Sequence, residues 1–304
     1  MKILDIHETL QGCVATVGSF DGIHLGHREI FCELKKIAHE KKLPDIVISF
    51  RQHPRFIVQP EYKMKLLTTI DEKISLLRQQ NISFVHFLDF DKKMAELTAE
   101  EFVKKFLVEK LNVKALIVGF NHRFGKGRGA GFNELIQLGD KYGFSVHKVK
   151  PVLYKNEYIS SSRIRKELEN CHLEEANAML GYQYFFTGKV IQGKKLGQKI
   201  GFPTANLSVD KRKLLPCPGV YAVLIDIDKT RHKGVLNYGK RPTIDNDTTA
   251  IPEVHILDFD KDIYGKTIKV TFVKRLRQEM KFSSLAELKR QIQEDVFIAR
   301  NILE

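Results

Sequence analysis

The sequence predicts an α/β protein in two parts: a parallel-sheet domain over residues 1–182, then a small antiparallel β domain over residues 183–304 closed by a helix. Three observations lead there. Through the first half, apolar runs alternate with helical periods, the pattern of a parallel sheet with right-handed crossovers. Near Gly181-Tyr182 that alternation gives way to short runs rich in β-branched and aromatic residues, separated by turns with Gly, Pro or Asp. A chain of 304 residues is also long enough for two cores and unusually long for one.

In the first half, Val14 to Gly18, Asp45 to Phe50, Phe84 to Leu88, Ala115 to Gly119 and Phe144 to Val149 read as strands. Between them Arg28 to Glu40, Asp71 to Gln80, Ala99 to Leu111 and Phe132 to Tyr142 read as helices. Leu173 to Leu180 reads as the last helix before the break. In the second half the strand candidates are Tyr184 to Ile191, Val220 to Asp228, His232 to Tyr238, Glu253 to Asp258 and Thr267 to Val273, fitting a small barrel or sandwich. An amphipathic helix from Ser283 or Ser284 to about Ile302 ends the chain, with Ser284 and Glu287 spaced as a capping box.

Hydrophobic content of 43% with 29% charged residues suits a globular chain with little disorder. No run is apolar for the roughly 18 residues a membrane span needs. The start, Met1-Lys2-Ile3-Leu4-Asp5, turns acidic before an apolar stretch develops, so no secretory leader and a cytoplasmic location are expected. Cys13, Cys32, Cys171 and Cys217 form no C-x-x-C pair and are expected as reduced thiols. The formal charge of +13 invites a nucleic-acid reading, but the basic excess is spread over both halves with no basic tail or helix. A solvated basic surface that attracts small anionic substrates fits better than a nucleic-acid partner. Composition sets no oligomeric state.

The most informative segment is Val17-Gly18-Ser19-Phe20-Asp21-Gly22-Ile23-His24-Leu25-Gly26-His27, where an apolar strand becomes a helix. Free backbone N–H groups and the positive end of the helix dipole favour anions there, and small residues let phosphate oxygens approach. His24 and His27 add donors. The bland alternative, a Gly-rich turn with two surface histidines, is disfavoured by the whole G-x-F-D-G-x-H-x-G-H context. Ile159-Ser160-Ser161-Ser162-Arg163-Ile164-Arg165 sets three hydroxyls before a helix, with Arg165 one turn further in. Alone it is a Ser N-cap with exposed arginines; beside the histidine turn it reads as the second jaw of a triphosphate clamp. Gly119 to Gly129 reads as a flap over a nucleotide or as a loop without contact, and Asn121 is its candidate binding residue. Ser49 to Pro54 is a pocket lining or a plain turn. No G-x-x-x-x-G-K-[ST] or G-x-G-x-x-G occurs.

In the second half Gly201-Phe202-Pro203-Thr204-Ala205-Asn206-Leu207 places a hydroxyl and an amide oxygen two residues apart on an extended segment, where both face one way. They suit a hard cation such as Mg²⁺ if ATP supplies further oxygens, or simply open a strand after a turn.

These segments occur in the order seen in the bacterial bifunctional riboflavin kinase/FMN adenylyltransferase (FAD synthetase) family, which the chain resembles over nearly its whole length. Asn237-Tyr238-Gly239-Lys240-Arg241-Pro242-Thr243, Glu253 to Asp260, Ile263-Tyr264-Gly265 and Leu276 to Phe282 extend the likeness. The resemblance implies a nucleotidyltransferase domain of the H-x-G-H type joined to a riboflavin kinase β-barrel. It implies ATP and Mg²⁺ in both steps: riboflavin to FMN with ADP released, then FMN to FAD with pyrophosphate released. Glu253 matches the family's general base, and Thr204 and Asn206 match the Mg²⁺-holding positions. His24, His27 and Arg165 are the expected catalytic groups of the adenylyl step, with Gly18, Phe20, Asp21, Gly22, Asn121, Ser160, Ser161 and Ser162 as ligand contacts. Gly201, Pro203 and Asn237 are the corresponding contacts in the kinase half. Gln198 departs from the Arg common in the loop before G-F-P-T-A-N. The alternatives are one inactive half, or a non-catalytic flavin- or RNA-binding regulator; the joint presence of Glu253, Thr204 and Asn206 speaks for turnover.

Overall fold

The computed structural model describes the chain apart from residues 6–7, 124, 194–196, 198–199 and 240–250, and the side chain of Arg128. The chain divides into two compact units, Met1–Ser161 and Ser162–Glu304.

The first unit is built on six parallel strands: β1 (Lys2–Ile3), β2 (Cys13–Val17), β3 (Asp45–Phe50), β4 (Phe84–Leu88), β5 (Val113–Gly119) and β6 (Ser145–Val149). Their order is β1-β4-β3-β2-β5-β6. The order reverses at β2, which pairs with β3 on one side and β5 on the other. In such sheets ligands bind beyond the carboxyl ends of the strands at the reversal. The loop that leaves β2 there is the Gly18–His24 segment. All five residues of β2 are buried, because helices cover both faces of a central parallel strand. The helix Leu25–Lys41 turns Phe31, Leu34, Ile37 and Ala38 inward, at the spacing the sequence predicts. A short hairpin, β7 (Leu153–Tyr154) and β8 (Glu157–Tyr158), follows the sheet.

One helix departs from expectation. Over the predicted 99–111 segment, a Thr98–Glu101 capping box opens an α-helix at Ala99–Phe102, and the winding then widens to a π-helix over Val103–Lys110.

The second unit opens with the remainder of the helix Ser161–Glu169 and the helix Leu173–Leu180, whose bounds match the prediction. Six strands then close a barrel: β9 (Phe185–Ile191), β10 (Ala205–Ser208), β11 (Gly219–Ile227), β12 (Thr230–Tyr238), β13 (Glu253–Ile256) and β14 (Thr267–Arg277), in the order β10-β13-β12-β11-β14-β9, every pair antiparallel. The sandwich alternative is thereby settled in favour of the barrel. Tyr184, Tyr221, Phe186 and Phe272 are among its largest fully buried side chains. The two phenols avoid an unpaired polar burial by donating to the carbonyls of Leu214, at 2.7 Å, and of Cys217. The helix Leu285–Ile302 packs Ala299 and Val296 against Val220, Ala222 and Val235 of the barrel. Only half of its predicted capping box forms in the expected way: Ser284 Oγ accepts from Glu287 N–H, while the Glu287 carboxylate accepts from Ser283.

The expectation of four reduced thiols is corrected. Cys171 and Cys217 are joined by a disulfide, with Cα atoms 5.2 Å apart, and Cys13 and Cys32 are free. Cys171 lies just past a helix end in the left-handed conformation, φ 68°, and the Cys217 N–H donates to the Leu168 carbonyl of that helix at 2.9 Å. A separation of 46 residues in sequence concealed this juxtaposition.

Candidate active sites

In the first unit the histidine turn is held in an unusual shape. Phe20 and Ile23 adopt positive φ of 46° and 38°, either side of Gly22 at 85°. Such conformations cost about 1–3 kcal/mol each for a residue with a side chain and persist where the surroundings over-determine them. Here the surroundings are the segment 67–73. The buried Asp21 carboxylate accepts from the N–H groups of Leu67 and Thr68, at 3.1 and 3.0 Å, and the Gly22 N–H donates to the Thr68 hydroxyl. Ser161 Oγ donates to the Asp21 carbonyl at 2.8 Å. Asp21, expected as a ligand contact, thus has a carboxylate engaged in bracing the turn, and Phe20 is buried against Phe31 with its ring edge on His27.

The turn delivers His24 as the N-cap of the helix Leu25–Lys41. That helix start carries no side-chain cap and no acidic residue in its first turn, so the positive end of its dipole favours an anion there. The His24 and His27 rings stack with centroids 3.6 Å apart and planes inclined by 19°. Gly26 permits this, since a Cβ there would come within 3.2 Å of the His24 ring. Burial, with the charges of His24 and Lys73, holds His27 well below its ordinary pKa. Gly18 ends its strand with its N–H on the Ile48 carbonyl. Asn121 is exposed in the turn after β5, where the His122 N–H donates to the Gly119 carbonyl; Phe124, within the expected flap, lies outside the described residues. Ser160 precedes the helix that Ser161 begins, and Ser162 and Arg165 follow on it.

In the second unit the candidate residues form a row across the barrel. Asn206 on β10 faces Glu253 on β13, and Glu253 faces Asn237 on β12. Val254 and Ile256 are buried while Glu253 and His255 alternate to the other face, as the two-residue period of a strand requires. Thr204 Oγ1 lies 3.4 Å from Glu253 Oε2, so the hydroxyl, the amide and the carboxylate form one cluster of oxygen donors of the kind Mg²⁺ accepts. Among the described residues no group of three His, Cys, Asp or Glu side chains is placed to hold a metal. The Pro203 carbonyl lies 2.8 Å from His255 Nδ1, and Phe202 meets the His255 ring edge-on, which fixes the loop to β13. Gly201 is an exposed turn residue with φ 89°. Gln198 and the Lys240-Arg241-Pro242-Thr243 part of the later motif lie outside the described residues.

Three residues of these clusters escaped the sequence reading. His255 anchors the Pro203 loop. Gly193 backs the Asn206 amide so closely that a Cβ would fall 2.0 Å from Nδ2. Lys73 reaches the histidine turn from the helix Ile70–Gln79, its Nζ donating to the Ser19 carbonyl at 2.7 Å.

Comparison with known proteins bears on both halves. Residues 6–163 match the family model described as FAD synthetase, and residues 180–303 match that described as riboflavin kinase. The bifunctional riboflavin kinase/FMN adenylyltransferase of Escherichia coli (strain K12) is 38% identical, covering 95% of this chain and 92% of its own. That of Haemophilus influenzae is 38% identical, covering 97% and 95%. A solved structure from Streptococcus pneumoniae, described as a macrolide-efflux protein, superposes with a TM-score of 0.87 at 32% identity, covering 96% of this chain and 95% of that one. The efflux description belongs to the pneumococcal protein; among the described residues here no helix is long and apolar enough to cross a membrane. With one match on each half and relatives that carry both along their full length, the chain belongs to the bifunctional riboflavin kinase/FMN adenylyltransferase family.

Proposed function

We propose that the segment 183–304 phosphorylates riboflavin at the Glu253 cluster and the segment 1–182 adenylylates the resulting FMN at the histidine turn. The observation that carries the kinase assignment is the meeting of Thr204, Asn206 and Glu253 in one cluster. Glu253 takes the proton from the ribityl 5′-hydroxyl as its oxygen attacks the γ-phosphorus of ATP, and ADP departs. Bound Mg²⁺, held by Thr204 and Asn206, would neutralise charge on the phosphate oxygens. We assign Asn237, Gly201 and Pro203 to the same step as ligand contacts.

In the adenylyl step a phosphate oxygen of FMN attacks the α-phosphorus of ATP, forming FAD and releasing pyrophosphate. That nucleophile is already anionic, so the residues' task is to position and to stabilise charge. His24, His27 and the first N–H groups of their helix serve the phosphates, aided by the Gly18–Gly22 backbone. Ser160, Ser161, Ser162 and Arg165 supply hydroxyl and guanidinium donors, and Asn121 contacts the nucleotide from its loop. We place the division between the two activities at residues 182 and 183, after the left-handed Gly181 that caps the helix Leu173–Leu180, and the protein in the cytoplasm.

The test is to incubate the purified chain with riboflavin, ATP and Mg²⁺ and follow products by chromatography. FMN should rise first and FAD follow. FMN without FAD, even when FMN is supplied, would remove the assignment of the first half, and absence of both products would remove the whole reading.

A further inference from the structure

The Lys73 ammonium is an unexpected group to find under the histidine turn. Its residue is 8% exposed, on the inward face of the helix Ile70–Gln79 beside the buried Leu76 and Leu77. Its Nζ donates to the Ser19 carbonyl at 2.7 Å and lies 3.5 Å from the Ser49 hydroxyl at the end of β3. Both partners are neutral. An ammonium is an expensive way to satisfy one carbonyl, because the interior disfavours the charged form. That cost shows in the group itself: burial draws Lys73 down to about 8, against the opposing pull of the Asp21 carboxylate.

The groups facing Lys73 explain what the charge can serve. Asp21 belongs to the turn and has its carboxylate on Leu67 and Thr68. His27, on the helix that starts at the turn, feels Lys73 as one of the causes that keep it neutral. Ser49 is uncharged. Removing the shorter Lys73 hydrogen bond would leave the Ser19 carbonyl, immediately before Phe20, the first of the two strained residues, to the longer 3.3 Å bond it accepts from the Ser49 hydroxyl.

We propose that Lys73 is a positioning residue for FMN adenylylation: its ammonium fixes the Ser19 carbonyl, and with it the strained turn, and sets a buried positive charge behind the polyphosphate that the turn receives. This rests on the assignment of the adenylyl step to the first half. A polyanion bound at the turn stabilises the protonated amine, so ATP affinity and the charge on Lys73 are linked. The kcat/KM for ATP, which reports the free enzyme, falls as Lys73 deprotonates above a pH of about 8. Under saturating ATP the fall in kcat moves to higher pH.

The experiment measures initial rates of FAD formation by the full chain from FMN, ATP and Mg²⁺ between about pH 6.5 and 9.5, for the native protein, Lys73→Arg and Lys73→Met. Arg stays charged throughout this range. Phosphate groups titrate near pH 6, so the substrates' own phosphates do not produce a fall near 8. Riboflavin phosphorylation by each variant reports the other half. The expected result is a native kcat/KM that declines above about pH 8, a Lys73→Arg variant whose decline is displaced upward, and a Lys73→Met variant reduced at least about tenfold, less than the 10²–10³-fold of a lost direct donor. Lys73→Met also loses the decline, while riboflavin phosphorylation is unchanged in all three. Native and Lys73→Arg profiles that coincide would overturn the proposal, as would a Lys73→Met variant with native rates. If Lys73→Met fails to fold, the native and Lys73→Arg profiles decide alone, and a native profile flat to pH 9.5 overturns it. No FAD from the native chain at any pH would overturn the proposal together with the adenylyl assignment, a result distinct from an active enzyme indifferent to Lys73.

Discussion

Glu253 stands directly opposite Asn206 in the ladder between β13 and β10, and the Thr204 hydroxyl completes the cluster at 3.4 Å from Glu253 Oε2. A carboxylate in this position can both take a proton and stay within reach of cation-binding oxygens. Glu253→Gln keeps the size and loses the basicity. General-base loss typically lowers a rate about 10²–10⁴-fold, so riboflavin phosphorylation is expected to fall by that order while supplied FMN is still converted to FAD. Separate initial-rate assays for the two steps check this, and equal loss of both activities by a folded variant would remove Glu253 from the kinase step.

The Asn206 amide owes its place to Gly193. A methyl group at residue 193 would overlap the amide, with its Cβ 2.0 Å from Nδ2 and 2.6 Å from Cγ. Gly193→Ala is therefore expected to displace the Asn206 amide. Misplacement by about 1 Å can cost on the order of 10²-fold in rate, and kinase turnover should drop accordingly, with a raised requirement for Mg²⁺. Titrating the kinase rate with Mg²⁺ measures it. A variant with the native Mg²⁺ dependence would mean that Asn206 does not hold the cation.

Much of this was legible because periodicity carries it. The helix Leu173–Leu180 and the strands β3 and β4 fall where the apolar spacing put them, since a buried face must repeat every two or 3.6 residues. The residue pattern alone left barrel and sandwich both open, because pairing order depends on contacts remote in sequence, and the family resemblance carried the barrel. Asp21 shows the limit for site residues. Its place in the motif gave no sign that its carboxylate accepts from Leu67 and Thr68, more than 40 positions away. Lys73 did leave a signal: it occupies the apolar phase shared with Leu76 and Leu77, where a lysine is rare without a reason. Cys171 and Cys217 left none, since only the fold brings them together.

The stacked histidines predict a definite response to protons. His27 is held below its ordinary pKa first by burial and then by the charges of His24 and Lys73, so its ring is neutral at pH 7. The fold favours the neutral ring. This contribution to stability is therefore present above the unfolded value near 6.5 and is lost as the pH falls below it, when the unfolded chain takes up a proton that the folded one resists. An ATP polyphosphate reverses the local field. NMR titration of the His27 ring is expected to give a midpoint below 6.5 without ligand and an upward shift with ATP. An unmoved midpoint would separate His27 from the phosphates.

The cysteines give the last prediction, with four side chains in three states. Cys32 is exposed and should react promptly with a thiol reagent. Cys13 is fully buried, its Sγ donates to the Leu111 carbonyl at 3.3 Å, and burial pushes its pKa up to about 12, so it should stay silent until the chain unfolds. Cys171 and Cys217 are bonded to each other. Without reductant, one thiol should titrate in the native protein and two in denaturant; after reduction, four should titrate in denaturant. In the cytoplasm proposed above such a bond is seldom kept, so on that location protein trapped by rapid alkylation in cells is expected to carry the pair open and protein purified in air to carry it closed. Four thiols in denaturant without reductant, from air-purified protein, would show that the pair does not close in solution.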